Sequence, residues 1–129
     1  MRLAGLAVEC FTWAPAGPPR ATVQIVHGMC EHAGRYARLA ADLNAAGYAV
    51  VAHDQRGHGH SVGSTGDLGF IAAEGGWRLL VNDVLAVQDH ARTLWPGVPV
   101  ILLGHSMGSF VVQQFIAEHG ATLIGAVLS

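Results

Sequence analysis

The chain has 129 residues, 51% of them hydrophobic and 12% charged, with a formal net charge of −2. That length and composition fit one soluble globular domain able to bury roughly two-thirds of its unfolded surface, and seven scattered Lys and Arg exclude a nucleic-acid surface, which needs them clustered. No apolar run reaches the roughly 18 to 20 residues that span a bilayer, and the stretch after Arg2 is broken by Glu9 before it forms a signal-peptide core, so the expected location is the cytoplasm.

The residues from Leu6 to Trp13 alternate enough for an edge strand, and Ala14 to Pro19 form a Pro- and Gly-rich turn. Thr22 to Val26 reads as a second strand. From Arg35 to Ala46, Tyr36, Leu39, Ala40 and Leu43 recur at helical spacing, with Gly47 placed just past the helix end. Tyr48 to Ala52 is the next strand, and Asp54 to Gly69, rich in Gly, Ser and His, is a loop. Trp77, Leu80, Val81, Val84, Leu85 and Leu94 mark a long amphipathic helix that stops before Pro96. Val98 to Leu103 is strand, Met107 to His119 helix with Gly120 behind it, and Leu123 to Leu128 strand again. Cys10 and Cys30 lack C-x-x-C spacing and read as reduced and incidental.

Strands alternating with helices imply an α/β fold, a mostly parallel sheet with helices on both faces, and the continuous apolar strands agree. Ligands of such sheets bind beyond the carboxyl ends of the strands. The segments that follow the strands are therefore the informative ones: His27-Gly28-Met29-Cys30-Glu31-His32, then His53-Asp54-Gln55-Arg56-Gly57-His58-Gly59-His60-Ser61, then Gly104-His105-Ser106-Met107-Gly108. The last is a G-x-S-x-G sequence between a buried strand and a helix, the context of a nucleophile elbow. The turn leaves no room for side chains two residues either side of the serine, and it sets Ser106 at a helix N-terminus, where free backbone N–H groups favour negative charge. Ser106 is the candidate catalytic nucleophile, and the Met107 amide, next in chain, the first candidate oxyanion donor.

Taken together, H-G-x-x-E-H at 27–32, D-x-R-G-H-G-x-S at 54–61, Gly66-Asp67 ahead of a helix and G-H-S-M-G at 104–108 resemble the monoacylglycerol lipase and lysophospholipase branch of the α/β-hydrolases. The resemblance covers essentially the whole chain. It implies a serine esterase acting on monoacylglycerols or related single-chain lipid esters. The residues lead us to expect no cofactor and no metal, and a transient membrane-surface contact is expected. The resemblance places the second oxyanion donor at the Met29 amide and pairs Asp54 with Arg56 in a loop brace. It also implies that the chain is about the N-terminal half of the family fold, a single partial domain over residues 1–129 truncated before the last strands and the lid.

Plainer roles stand beside these. Ser106 also fits a helix cap, and Met29 and Met107 also fit loop and core fillers whose amides bond elsewhere. His105 adjoins the nucleophile on a tight turn and points elsewhere, which suits packing. His53, Asp54, His58 and His60 suggest a metal, but no second Asp-His pair follows at Ser61-Val62 and zinc needs three or four converging ligands. Gly57, Gly59 and Gly63 do not form a dinucleotide-binding G-x-G-x-x-G. Ser109, where the family more often has glycine, fits if its φ is negative.

After Ser106 the only acid is Glu118 and the only histidine His119, which lies 13 residues along the helix, roughly 20 Å away at about 1.5 Å per residue. The expectation is little esterase turnover from residues 1–129 alone, the triad acid and histidine coming from elsewhere. The alternative is a truncated, non-catalytic domain that acts by binding a partner. The strand at 123–128 has neither charge nor proline to block pairing, so self-association through that edge is expected.

Overall fold

The computed structural model describes residues 8–129. Its centre is one five-stranded sheet built from β1 (Glu9–Trp13), β2 (Thr22–Val26), β3 (Ala49–Asp54), β4 (Val100–Gly104) and β5 (Gly125–Leu128), in the order β1-β3-β2-β4-β5. β1 runs antiparallel to β3, and the other neighbours are parallel. The expected edge strand begins at Glu9; its residues 6 and 7 lie outside the described residues.

Three helices cross between the parallel strands. α1 (Ala37–Ala45) follows a 3₁₀ turn at Ala33–Tyr36 and ends at Gly47, whose φ of +85° reverses the chain into β3. α2 (Gly76–Leu94) links β3 to β4, and α3 (Met107–His119) links β4 to β5. α1 covers one face, where Ala40 packs on Val23, Ile25, Val50 and Ala52. α2 and α3 cover the other, where Leu80, Val84, Val111, Val112 and Phe115 close over Val26 and Leu102. Every residue of β2 and β3 is buried, the signature of parallel strands sandwiched between helices.

Two features bear on function. The chain leaves β2 for β3 on one side and returns to β4 on the other, so the loops after β2 and β4 diverge over a crevice between adjacent strands. By contrast β5 is exposed along its length, and beside it Leu39, Leu43, Ile101, Leu103 and Val127 line an open apolar groove on the α1 face.

β3 runs two residues beyond the expected strand, through His53 and Asp54, because Cys10 and Glu9 of β1 pair with them. The segment behind it is a loop containing 3₁₀ turns at Gly59–Ser61 and Thr65–Asp67. No helix among the described residues is long and apolar enough to cross a membrane.

Candidate active site

The site grows from the register of β2 and β4, in which Val26 lies opposite Gly104. Directly beyond that pair the His105 amide donates to the Val26 carbonyl at 3.0 Å, which ties the two loops at their roots. A Cβ on Gly104 would come within 2.7 Å of Gly108 and Ser109 backbone atoms, and one on Gly108 within 2.0 Å of the Val26 carbonyl oxygen. Both positions are closed to any side chain. The turn between them holds Ser106 at φ 51° and ψ −121°, a left-handed conformation costly for a non-glycine residue and met mainly where the surrounding structure enforces it. Only Cys30 and Ser106 have positive φ among the described non-glycine residues, and they stand on the two facing loops.

Ser106 is exposed and occupies the N-cap position of α3, but its hydroxyl makes no capping bond; the Gly108 and Ser109 amides of the first turn donate instead to the His105 and Ser106 carbonyls. Its own amide donates to the Ser129 carbonyl at 2.7 Å, and the Ser129 amide donates to Gly104 at 2.9 Å, so the end of β5 fastens the elbow from the other flank. The Ser109 hydroxyl donates to the Ser106 carbonyl at 2.7 Å, and Ser109 does not adopt a positive φ, so the serine there adds a tie without opening the turn. Gly28 lies against the elbow: a Cβ on it would sit 3.0 Å from the Ser106 Cβ. The amides of Met29 and Met107, the two candidate oxyanion donors, have no hydrogen-bond partner among the described residues. The Met29 side chain is exposed while that of Met107 is partly covered.

The loop after β2 is held by Glu31. Its carboxylate accepts from the Gly28 amide, from Arg35 at 2.7 Å and from the Tyr36 hydroxyl at 2.8 Å. Burial pushes its pKa up, but the Gly28 amide, the Tyr36 hydroxyl and the Arg35 charge outweigh that and hold it below the ordinary value. The sequence reading gave Glu31 no role, although an acid four residues before Arg35 on a helical approach was a usable signal.

His27 is fully committed. Its Nδ1 donates to the Gly28 carbonyl at 2.7 Å and its Nε2 accepts from the Gln55 amide at 2.9 Å, while the Gln55 side chain donates back to the His27 carbonyl. Burial pulls its pKa below the usual histidine value, so the ring is neutral and braces the loops after β2 and β3. Neither nitrogen is left to take a proton from Ser106. His105 is half-buried and turns its Nδ1 toward the Ser129 hydroxyl at 3.3 Å. Glu118, at the far end of α3, is bonded to Arg78 and Gln114.

The expected Asp54–Arg56 brace is not formed. Asp54, buried at the end of β3, accepts from the amides of Ala33 and His60, each at 2.7 Å, and from His60 Nδ1 at 3.0 Å. Burial alone raises its pKa, yet these bonds hold it below the ordinary carboxylate range. Arg56 turns to α2, where Nε and Nη2 grip both oxygens of Asp83 at 2.7 and 2.9 Å. Asp54 already has its oxygens filled by loop donors, whereas Asp83 is buried on an apolar helix face and needs a cation. His58 bonds Arg56 O and His60 bonds Asp54, and no group of three or more His, Cys, Asp or Glu among the described residues is placed to hold a metal ion.

Residues 17–129 match the family described as Hydrolase_4, Serine aminopeptidase, S33. The chain is 39% identical to the monoglyceride lipase of Homo sapiens over 124 residues, 96% of this chain and 39% of that protein. It is 38% identical to the monoacylglycerol lipase of Mycolicibacterium smegmatis over 128 residues, 97% of this chain and 42% of that one. Among solved structures, a thermostable carboxyl esterase from Bacillus coagulans superposes with a TM-score of 0.87 at 34% identity, covering 94% of this chain and 39% of the esterase. The chain thus spans about two-fifths of the length of the relatives it matches. With the sheet order, the elbow and these matches in agreement, the chain belongs to the Serine aminopeptidase S33 family of α/β-hydrolases.

Proposed function

We propose that this chain carries the nucleophile and the oxyanion cradle of a serine carboxylic ester hydrolase acting on monoacylglycerol- or lysophospholipid-like esters. The observation that carries this reading is Ser106 at φ 51° on the elbow, with Gly28 packed against it and the Met29 and Met107 amides without a partner among the described residues. Ser106 Oγ attacks the ester carbonyl, and the resulting oxyanion takes the two amides, each worth roughly 100- to 1,000-fold in rate. The N-terminus of α3 adds favourable potential. Collapse of this intermediate expels the alcohol and leaves an acyl group on Ser106, which water removes.

A base is needed to accept the Ser106 proton. His27 has both nitrogens bonded, and His119 stands 13 residues along α3, so the histidine and its acid belong to sequence beyond residues 1–129 or to another chain. The greater length of the relatives supports this. The free cysteines, Cys10 and Cys30, support a reducing, cytoplasmic setting. A lipid surface is the source of substrate.

The test is fluorophosphonate labelling and monoacylglycerol hydrolysis by a protein containing this segment. Both are expected to vanish in Ser106→Ala; hydrolysis that survives sinks the nucleophile assignment. Residues 1–129 alone are expected to show little turnover of a short-chain p-nitrophenyl ester, and sustained turnover that Ser106→Ala abolishes shows instead that the base lies within this segment.

A second reading, a non-catalytic domain acting through a partner or through self-association, is favoured by the exposed β5 and its apolar flank. The intact mass of the native product separates the two: about 13.5 kDa favours the binding domain, and about twice that favours the hydrolase.

A further inference from the structure

Two peptide units meet at Gly28, and three of their four polar groups are bonded. In the first, the His27 carbonyl accepts from the Gln55 side chain and the Gly28 amide donates to Glu31 Oε1. In the second, the Gly28 carbonyl accepts from His27 Nδ1 at 2.7 Å. The fourth group, the Met29 N–H, has no partner among the described residues. The C=O and N–H of a trans peptide share one plane and point in opposite directions. A Gly28 carbonyl drawn toward His27 therefore turns the Met29 N–H away from that ring, and one ring nitrogen sets the direction of the open amide.

That nitrogen donates in only one tautomer, and Gln55 selects it. The Gln55 main-chain N–H can only donate and meets His27 Nε2 at 2.9 Å, so Nε2 is bare and Nδ1 carries the proton. Burial pulls the pKa of the ring below the usual histidine value, which keeps a second proton off. The Gln55 side chain takes the His27 carbonyl as well, so one residue grips His27 at its ring and at its main chain. Gln55 is fully buried, and its Oε1 has no partner among the described residues. A bare buried acceptor is destabilising, and an apolar side chain of the same length would avoid it. The distinct contribution of glutamine here is the NH2 donor to the His27 carbonyl.

We propose that Gln55 is a positioning residue of the oxyanion cradle: its main-chain N–H fixes the His27 tautomer, its side chain fixes the His27 carbonyl, and the two together aim the Met29 N–H. The inference rests on the reading of that amide as an oxyanion donor, and Gln55 acts through His27.

The test is Gln55→Met, which keeps the length and the main-chain N–H and removes the side-chain donor. Gly28-Met29 is the only Gly-Met pair in the sequence, so the chain labelled with 13C at glycine carbonyls and 15N in methionine reports that one peptide unit. Its signal should move in Gln55→Met, while the amide signal of Met107, on the facing loop, stays. In the catalytically competent protein that contains this segment the donor is turned rather than removed, so kcat for a monoacylglycerol should fall roughly 10- to 100-fold with KM nearly unchanged. The preference for an ester over its thiono analogue, whose sulfur accepts poorly from N–H groups, should fall in parallel; a variant that merely loosens the fold slows both substrates alike. The unmodified chain gives a check that needs no variant, since the nitrogen resonances of His27 should show Nδ1 protonated and Nε2 bare. A protonated Nε2, or a stationary Gly28-Met29 signal in the variant, would overturn the proposal alone. A signal that moves while kcat and the ester preference stay intact would overturn the reading of Met29 as an oxyanion donor, and the proposal with it.

Discussion

Gly28 and Ser106 are held so close that a single methyl group on the glycine would reach within 3.0 Å of the serine Cβ and within 3.0 Å of Glu31 Oε1. Neither neighbour can retreat, since Ser106 is fixed by the elbow and Glu31 by three donors. Gly28→Ala is therefore expected to displace the loop that carries the Met29 amide. A misplacement on the order of 1 Å costs about 100-fold in rate. The fluorophosphonate labelling rate of Ser106 checks this; unchanged labelling would mean the Gly28 loop does not set the cradle.

Glu31 is the anchor of that loop, and Glu31→Gln keeps its shape while removing the charge that receives Arg35 and the Gly28 amide. Hydrogen bonds to charged groups contribute about 1.5 to 3 kcal/mol, so a loss of about 2 kcal/mol in urea unfolding is expected. Because the folded carboxyl is held below its ordinary value, its contribution is present above about pH 4.5 and is lost as pH falls further. The variant should lack that part of the acid sensitivity.

The Arg56–Asp83 pair joins the loop after β3 to α2. Arg56→Met leaves Asp83, whose side chain is 2% exposed, buried without its cation, and a loss of about 3 kcal/mol is expected. The double variant Arg56→Met with Asp83→Leu should recover most of it. Equal stability of the single variant and the parent would show that the pair contributes nothing.

His53 sets a pH limit on the fold. It is completely buried, neither ring nitrogen has a partner among the described residues, and burial pulls its pKa down to about 3. The unfolded chain takes up a proton there near pH 6.5 while the folded chain does not, so stability rises with pH across this window. Acidification from about pH 6.5 toward 3 should therefore cost this site up to about 1.4 kcal/mol per pH unit. His53→Phe should flatten the profile between those limits, as urea midpoints measured every half unit would reveal.

The strands, helices and elbow were legible because each has a local signal: apolar runs at 22–26 and 98–103, helical spacing at 77–94, and glycines at 104 and 108 where the turn excludes side chains. What escaped were partnerships between distant segments. Arg56 finds Asp83 across 27 residues and Gln55 clasps His27 across 28, and nothing in the spacing of either pair marks it. The nearer candidate, Asp54, was passed over because loop amides had already filled its oxygens, a fact of packing that no linear pattern carries. The 3₁₀ turns likewise arise where loops are pulled tight by such bonds, as Ala33 is by Asp54.

The pairing of Val26 with Gly104 also bears on the order in which this molecule assembles and comes apart. The facing loops are extensions of two adjacent central strands, so the spacing between Gly28 and Ser106 is inherited from a ladder that exists once β2 and β4 have docked. Outer-strand opening at β1 can proceed without disturbing it, and in amide exchange the His105 amide, bonded to the Val26 carbonyl, should rank with the slowest strands. A serine on a mobile loop would have to be recaptured before each encounter with substrate. Here the geometry persists through the fluctuations that the sheet undergoes at its β1 edge.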